Sequence, residues 1–148
     1  MAATLPEMLL GPETRPLVVS DCCELIEQEV SDMSGISGAA VKLAHKTVIT
    51  FMPGHVRHVV RLLLPDIADA LQPYWADFAT SGGAEFGDYL AKRGEEVTGV
   101  LLAITDAKAA SSGRPTIVRA YHAVRGHAGR HVEAALPRVG ALVLKYAA

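Results

Sequence analysis

Apolar residues in this chain recur every three to four positions and nowhere settle into strict alternation, a pattern that suits helices and not half-buried strands. Phe86, Tyr89, Leu90, Val97, Val100, Leu101 and Ile104 make a single stripe, which predicts one helix over Ala84 to Ala110, the longest in the chain. Val18, Cys22, Leu25, Ile26, Val30 and Met33 repeat at the same spacing and predict a helix from Pro16 to Met33. Within it, Asp21 and Glu24 have the spacing of a capping box. Further on, Val41, Ala44, Val48 and Phe51 share a face away from Lys42, Lys46 and Thr50. Val56, Val59, Val60 and Leu63 then oppose Arg57, His58 and Arg61. Breaks at Ser34 to Gly38, Pro53 to Gly54, Pro65, Pro73, Ser81 to Gly83 and Ser111 to Pro115 divide the chain into five or six helical stretches. No Asn-Gly or Asp-Gly hairpin signal interrupts them. The expected fold is all-α, a single domain over residues 1–148 built as a bundle of about six helices.

Half of the residues are apolar and 20% are charged, so the chain has enough apolar surface to build one core and is no solvated spacer. Only 5% are aromatic, which makes that core aliphatic. Residues 1–16 carry Glu7 and Glu13 against Arg15 and lack the cationic start of a secretory signal. The longest apolar runs fall short of the roughly 18 residues a spanning helix needs. These features point to a cytoplasmic protein with no membrane span. Cys22 and Cys23 are adjacent and have no further cysteines to join, so neither a disulfide framework nor a four-ligand zinc set is expected.

Charge is strongly blocked along the chain. Residues 1–34 carry a net −6, residues 35–65 contain four bases and no acid, residues 66–96 carry −5, and residues 114–148 carry +5. Acidic and basic helices packed side by side would balance these blocks; alternatively, the two basic blocks would form a common anion-binding face. A shift of 72 places aligns residues 54–74 with 126–146 at six identities: Gly54/Gly126, His55/His127, Val60/Val132, Leu64/Leu136, Pro65/Pro137 and Tyr74/Tyr146. This suggests a duplication into two similar three-helix halves, about 1–80 and 81–148.

The strings SGISGAAVKLAHKTV, PGHVR, LPDIADALQPYWADF, FGDYLAKRGEEV, AYHAVRG and EAALPRVGALVLKYA resemble a small actinobacterial family of helical proteins, a domain of unknown function. The likeness covers nearly the whole chain. It implies a fold and no activity, cofactor or catalytic residue.

Catalytic signatures are missing: the chain has no GxSxG, GxxxxGK[ST], HExxH or GxGxxG. His127 and His131 have the four-residue spacing of a metal pair, but His122 lies on another side of that helix. Only His55 and His58, from elsewhere, would complete a set. No metal and no cofactor are expected. Residues 39–64 have the outline of a helix-turn-helix without Asn, Gln or Ser beside Arg57 and Arg61 to read base edges, so nucleic acid is a weak candidate partner. The Ser-Gly runs at Ser34 to Gly38 and Ser111 to Arg114 have the composition of phosphate-binding helix starts, and equally that of plain connections.

The leading expectation is therefore a non-enzymatic, cytoplasmic protein-binding or adaptor domain, self-associating, whose partner is another protein. A second reading is a helical bundle that binds a small molecule or lipid, with Tyr74, Trp75, Phe78 and Tyr89 at the mouth of an apolar pocket. A third is anion binding through a basic face made of His55, Arg57, Arg61, Arg125, His127 and Arg130.

Overall fold

The structure, a computed structural model, describes residues 3–147. Seven helices account for 86% of it and no strand occurs among the described residues. In chain order they are α1 (Leu5–Leu9), α2 (Arg15–Asp32), α3 (Gly35–Phe51), α4 (His55–Ser81), α5 (Phe86–Lys92), α6 (Gly94–Ala110) and α7 (Pro115–Ala147). The all-α single domain expected from the periodicity is what forms. The number of helices and several of their boundaries are not those expected.

α1 is an additional helix. Thr4 caps it by accepting from the Glu7 amide at 3.3 Å, and its Leu5 and Leu9 are almost wholly buried. Gln72 of α4 accepts from the Leu5 amide at 2.6 Å, which serves one of the donors orphaned at the helix start. The capping box suggested at Asp21 is not a helix start, because α2 already begins at Arg15; Asp21 lies inside it and bonds Lys145 and Tyr146 of α7.

Pro65 and Pro73 do not break the chain. α4 runs through both for 27 residues, between Gly54 and Gly82, which both take left-handed backbone angles (φ 79° and 75°). A proline removes the bond to the carbonyl four residues earlier. For Pro65 that carbonyl is Arg61, and the Arg15 guanidinium of α2 donates to it at 3.0 Å. Burial of Leu63, Leu64, Ala68, Leu71 and Phe78 on either side holds the helix together across its weak points.

The stripe from Phe86 to Ile104 is likewise two helices where one was expected, with the break at Arg93. The longest helix is α7, whose 33 residues continue through Pro137. This bears on the proposed halves. The α3–α4 turn at Met52–Gly54 corresponds in the alignment to the middle of α7, where the helix is unbroken. The first half holds four helices and the second three. The helix order thus lends the duplication no support.

α7 is the spine. It packs most extensively on α5 and also touches α1, α2, α3 and α6. The α5 contact is backbone to backbone: a Cβ on Gly140 would lie 2.2 Å from the Gly87 Cα, and one on Gly87 would lie 2.5 Å from the Pro137 carbonyl oxygen. Around this crossing sit Phe86, Leu90, Val97, Leu136 and Val143, all buried. Gly140→Ala should therefore destabilise the protein by about 3 kcal/mol, at the upper end of overpacking costs. Gly99→Ala, on an exposed helical site with nothing within 4 Å, should stabilise it by about 0.5–1 kcal/mol. Urea unfolding midpoints of the two variants against the parent decide the point; equal midpoints for Gly140→Ala and the parent would contradict a tight crossing.

Candidate functional site

One end of the bundle is open where the start of α4, the end of α6 and the start of α7 meet around a half-enclosed cavity of about 330 Å³. That volume lies at the lower end of the range for small-molecule sites. α4 contributes His55, His58, Val59, Leu62 and Leu63, which share a face by their three- and four-residue spacing. α6 contributes Thr105, Lys108 and Ala109, and the α6–α7 connection with the first turns of α7 adds Ser111 to Arg114, Ile117 and Tyr121. The floor is aliphatic and the edges carry cations and hydroxyls. α4 and α7 begin here and α6 ends here, so the positive ends of two helix dipoles and the negative end of a third lie at the same opening, with Lys108 in the last turn of α6.

The electrostatics are one-sided. His55 is half-buried; burial first, then the charges of Arg114, His58 and Lys108, hold its imidazole below the usual value. Its Nε2 is buried without a hydrogen-bond partner. Neither Lys108 nor Arg114 is among the residues that form ion pairs in the described structure. No acid lines the cavity, and Asp106, next to the lining residue Thr105, is already neutralised: Arg125 donates to it through Nε at 2.7 Å and Nη2 at 2.9 Å, and Tyr121 adds its hydroxyl. Those bonds lower the Asp106 carboxyl to about 2. Tyr121 also lies 2.9 Å from the Thr105 hydroxyl, so one edge of the cavity is fixed by a connected polar network. The arrangement sets cationic side chains at the edge of an apolar cavity.

Of the six residues expected to form a basic face, only His55 lines this cavity. Arg57 turns to α2, donating to Ser20 at 3.2 Å, and the Arg61 carbonyl is occupied by Arg15. Arg125 is committed to Asp106, while His127 and Arg130 are exposed further along α7. Tyr74, Trp75, Phe78 and Tyr89 do not frame the cavity either. Trp75, Phe78 and Tyr89 pack with buried Phe86, at ring distances of 5.1 to 5.8 Å, and Tyr74 donates to Glu96 at 2.7 Å. His58, Lys108 and Arg114 were missing from the sequence-based set. The Ser111 to Arg114 run carried the signal, as a phosphate-binding composition at a helix start, but no charge pattern links it to His55 across the intervening residues.

Elsewhere the chemistry is quiet. Among the described residues no three His, Cys, Asp or Glu side chains gather as a metal site. His131 faces Ser37 of α3 at 3.2 Å. Burial pushes the Cys22 thiol up to about 11 and raises Cys23 also, so neither is a thiolate at neutral pH.

A family profile described as a family of unknown function, DUF6918, matches residues 5–147, nearly everything the structure describes. The chain belongs to DUF6918. The match spans all seven helices, so the α4–α6–α7 cavity lies within the DUF6918 domain and not on an appendage to it. No curated protein and no solved structure matches the chain.

Two pH windows follow from these environments. His55 has a folded pKa below its unfolded one, so it adds nothing unfavourable above about pH 6.5 and destabilises the fold progressively as pH falls below that. Asp106, Asp21 and Asp32 are lowered by their bonds to Arg125, Tyr146 and Arg138 respectively, so their stabilisation is present above about pH 4 and is lost as pH falls through the folded values. Urea midpoints should be level from pH 8 to about pH 7, decline gently to about pH 5 and drop steeply below about pH 4. His55→Gln should remove the first decline and leave the second; an unchanged first decline would show that His55 is not its source.

Proposed function

We propose that this DUF6918 protein is a non-catalytic binding protein whose ligand is a small amphipathic anion, a carboxylate or phosphate head on an apolar body, seated between α4, α6 and α7. The observation that carries this reading is the pairing of an aliphatic floor with cations that have no carboxylate opposite them, around a buried imidazole nitrogen without a partner. Buried polar groups are ordinarily satisfied, and an unpaired one at a cavity is a place for a ligand atom. Arg114 suits a carboxylate or phosphate because its planar fork binds bidentately, and Lys108 adds a point charge. Val59, Leu62, Leu63 and Ile117 accept the apolar body. No group here is arranged as a nucleophile with a base, which supports binding without turnover.

Self-association with another copy, the first expectation from the sequence, ranks second. Among the described residues four of the six large exposed apolar side chains, Ile36, Leu43, Ile49 and Phe51, lie on α3 with Lys42 and Lys46, so two copies meeting α3 to α3 bring like charges together.

Titration calorimetry with octyl phosphate and octanoate, against octanol as the uncharged reference, tests the binding reading. Both anions should bind and octanol should bind much more weakly. Arg114→Gln combined with Lys108→Gln should cost at least about tenfold in affinity, because each removes a charge-assisted hydrogen bond. Binding near pH 6 should take up a proton, since an anion beside His55 raises its pKa, and the heat should therefore depend on the buffer. No heat from either anion, or octanol binding as tightly as they do, would overturn the assignment.

A further inference from the structure

α3 presents a contradiction that burial alone does not resolve. Nine of its 17 residues are Ala, Val, Ile, Leu or Phe, yet the only buried residue in it is Gly38. Ile36 is 90% exposed, Phe51 73% and Leu43 68%, with Ile49 exposed as well. By helical rotation, Leu43, Ile36 and Phe51 fall within about 80° of arc, and Lys42 and Lys46 lie together on the adjoining flank. The side that adjoins Phe51 in the other direction, with Val41, Ala44 and Val48, is half-buried, and α3 packs on α7, α2 and α4. A helix whose outer face is more apolar than folding requires is a contact surface.

Charge selects the partner. Residues 33–65 contain no acid, while Lys42, Lys46, Arg57 and Arg61 lie among them. Asp32 is close enough to feel the charge of Lys42, but Arg138 holds it at 2.6 Å. A second copy docked α3 to α3 would set Lys42 and Lys46 against their equivalents with no acid between. A second copy docked elsewhere would need a large exposed apolar patch on another face, and among the described residues only Leu17 of α2 and Leu62 of α4 are exposed large apolar side chains outside α3. Nucleic acid would answer the lysines and leave Ile36, Leu43 and Phe51 in water.

We infer that α3 is a membrane-surface helix that lies in the headgroup region of a bilayer containing anionic lipid, inserting Ile36, Leu43 and Phe51 while Lys42 and Lys46 engage the lipid phosphates. The chemistry is that of interfacial amphipathic helices, in which an apolar face enters the acyl boundary and flanking lysines reach the charged surface. No helix of the described chain is long and apolar enough to cross a membrane, so the contact is peripheral. It stands apart from the anion cavity, which lies at the α4–α6–α7 end and takes its floor from other helices.

Vesicle co-sedimentation decides it, using equal parts phosphatidylcholine and phosphatidylglycerol, with pure phosphatidylcholine as reference. The protein should pellet with the anionic vesicles, more weakly with the neutral ones, and less as salt is raised. Lys42→Gln with Lys46→Gln should reduce partitioning about fivefold for each lysine removed. Leu43→Ser with Phe51→Ser should reduce it by about tenfold or more while leaving the circular dichroism melt unchanged, because both side chains are already exposed. Failure to pellet with anionic vesicles overturns the inference. So does equal binding to neutral vesicles. A third outcome also overturns it and assigns the face to a second copy: no vesicle binding, with a dimer in sedimentation that Leu43→Ser with Phe51→Ser dissolves.

Discussion

The approach of α5 to α7 at Gly87 and Gly140 fixes where everything else can go. Two helices with ordinary side chains at their crossing stay 8–10 Å apart. Here the absence of a Cβ on both sides lets one backbone rest on the other, with Gly87 set against the Pro137 carbonyl. That draws Phe86 to full burial and places the Trp75, Phe78 and Tyr89 rings around it. With α5 seated so closely, α6 is delivered alongside α7 after a break of a single residue, Arg93. The open end between α4, α6 and α7 is thus a consequence of a crossing made at the other end of α7, near Pro137.

Ion pairs settle the register of the other side. Arg138 joins Glu29 at 3.0 Å and Asp32 at 2.6 Å, and Lys145 joins Asp21 at 2.9 Å. These tie the basic block of α7 to the acidic block of α2. Arg138 and Lys145 are solvent-exposed and their pairs are screened, so burial of Val18, Val19, Leu136 and Val143 stabilises the packing far more. What the pairs contribute is discrimination, since sliding α2 along α7 by one turn would separate all three at once.

Sequence periodicity was enough to read the helices and their apolar faces because each face obeys a local rule. The boundaries failed where a distant residue overrides that rule. Nothing near Pro65 announces that Arg15 will serve the Arg61 carbonyl, so a proline that reads as a break becomes the middle of a helix. The break at Arg93 was missed because the apolar stripe passes through it without losing phase, although Lys92, Arg93 and Gly94 are the residue types that end a helix. The site was legible only in fragments for the same reason: His55 and Arg114 are neighbours in space and 59 positions apart in the chain. Arg125 looked like a ligand-binding cation as long as Asp106, on a different helix, was out of view. The short α1 shows the opposite failure, since five residues are too few for a periodicity to register, although Thr4 and Glu7 did carry a cap.

The distribution of cations across the fold separates structure from function more sharply than any motif. Of the six cations in the second basic block, Arg125, Arg138 and Lys145 find carboxylates on neighbouring helices and help hold the bundle, while Arg114, Arg119 and Arg130 form no ion pair among the described residues. Among the described residues none of Lys42, Lys46, Arg57 and Arg61 of the first block is in an ion pair, and Arg57 donates to a serine hydroxyl. Folding alone gives no reason for that asymmetry, because the net charge is −2 and acids are available in excess. Among the described residues Lys42 and Lys46 on the exposed α3, and Lys108 and Arg114 around the cavity, form no ion pair, so these two regions carry positive charge that the packing of the bundle does not use.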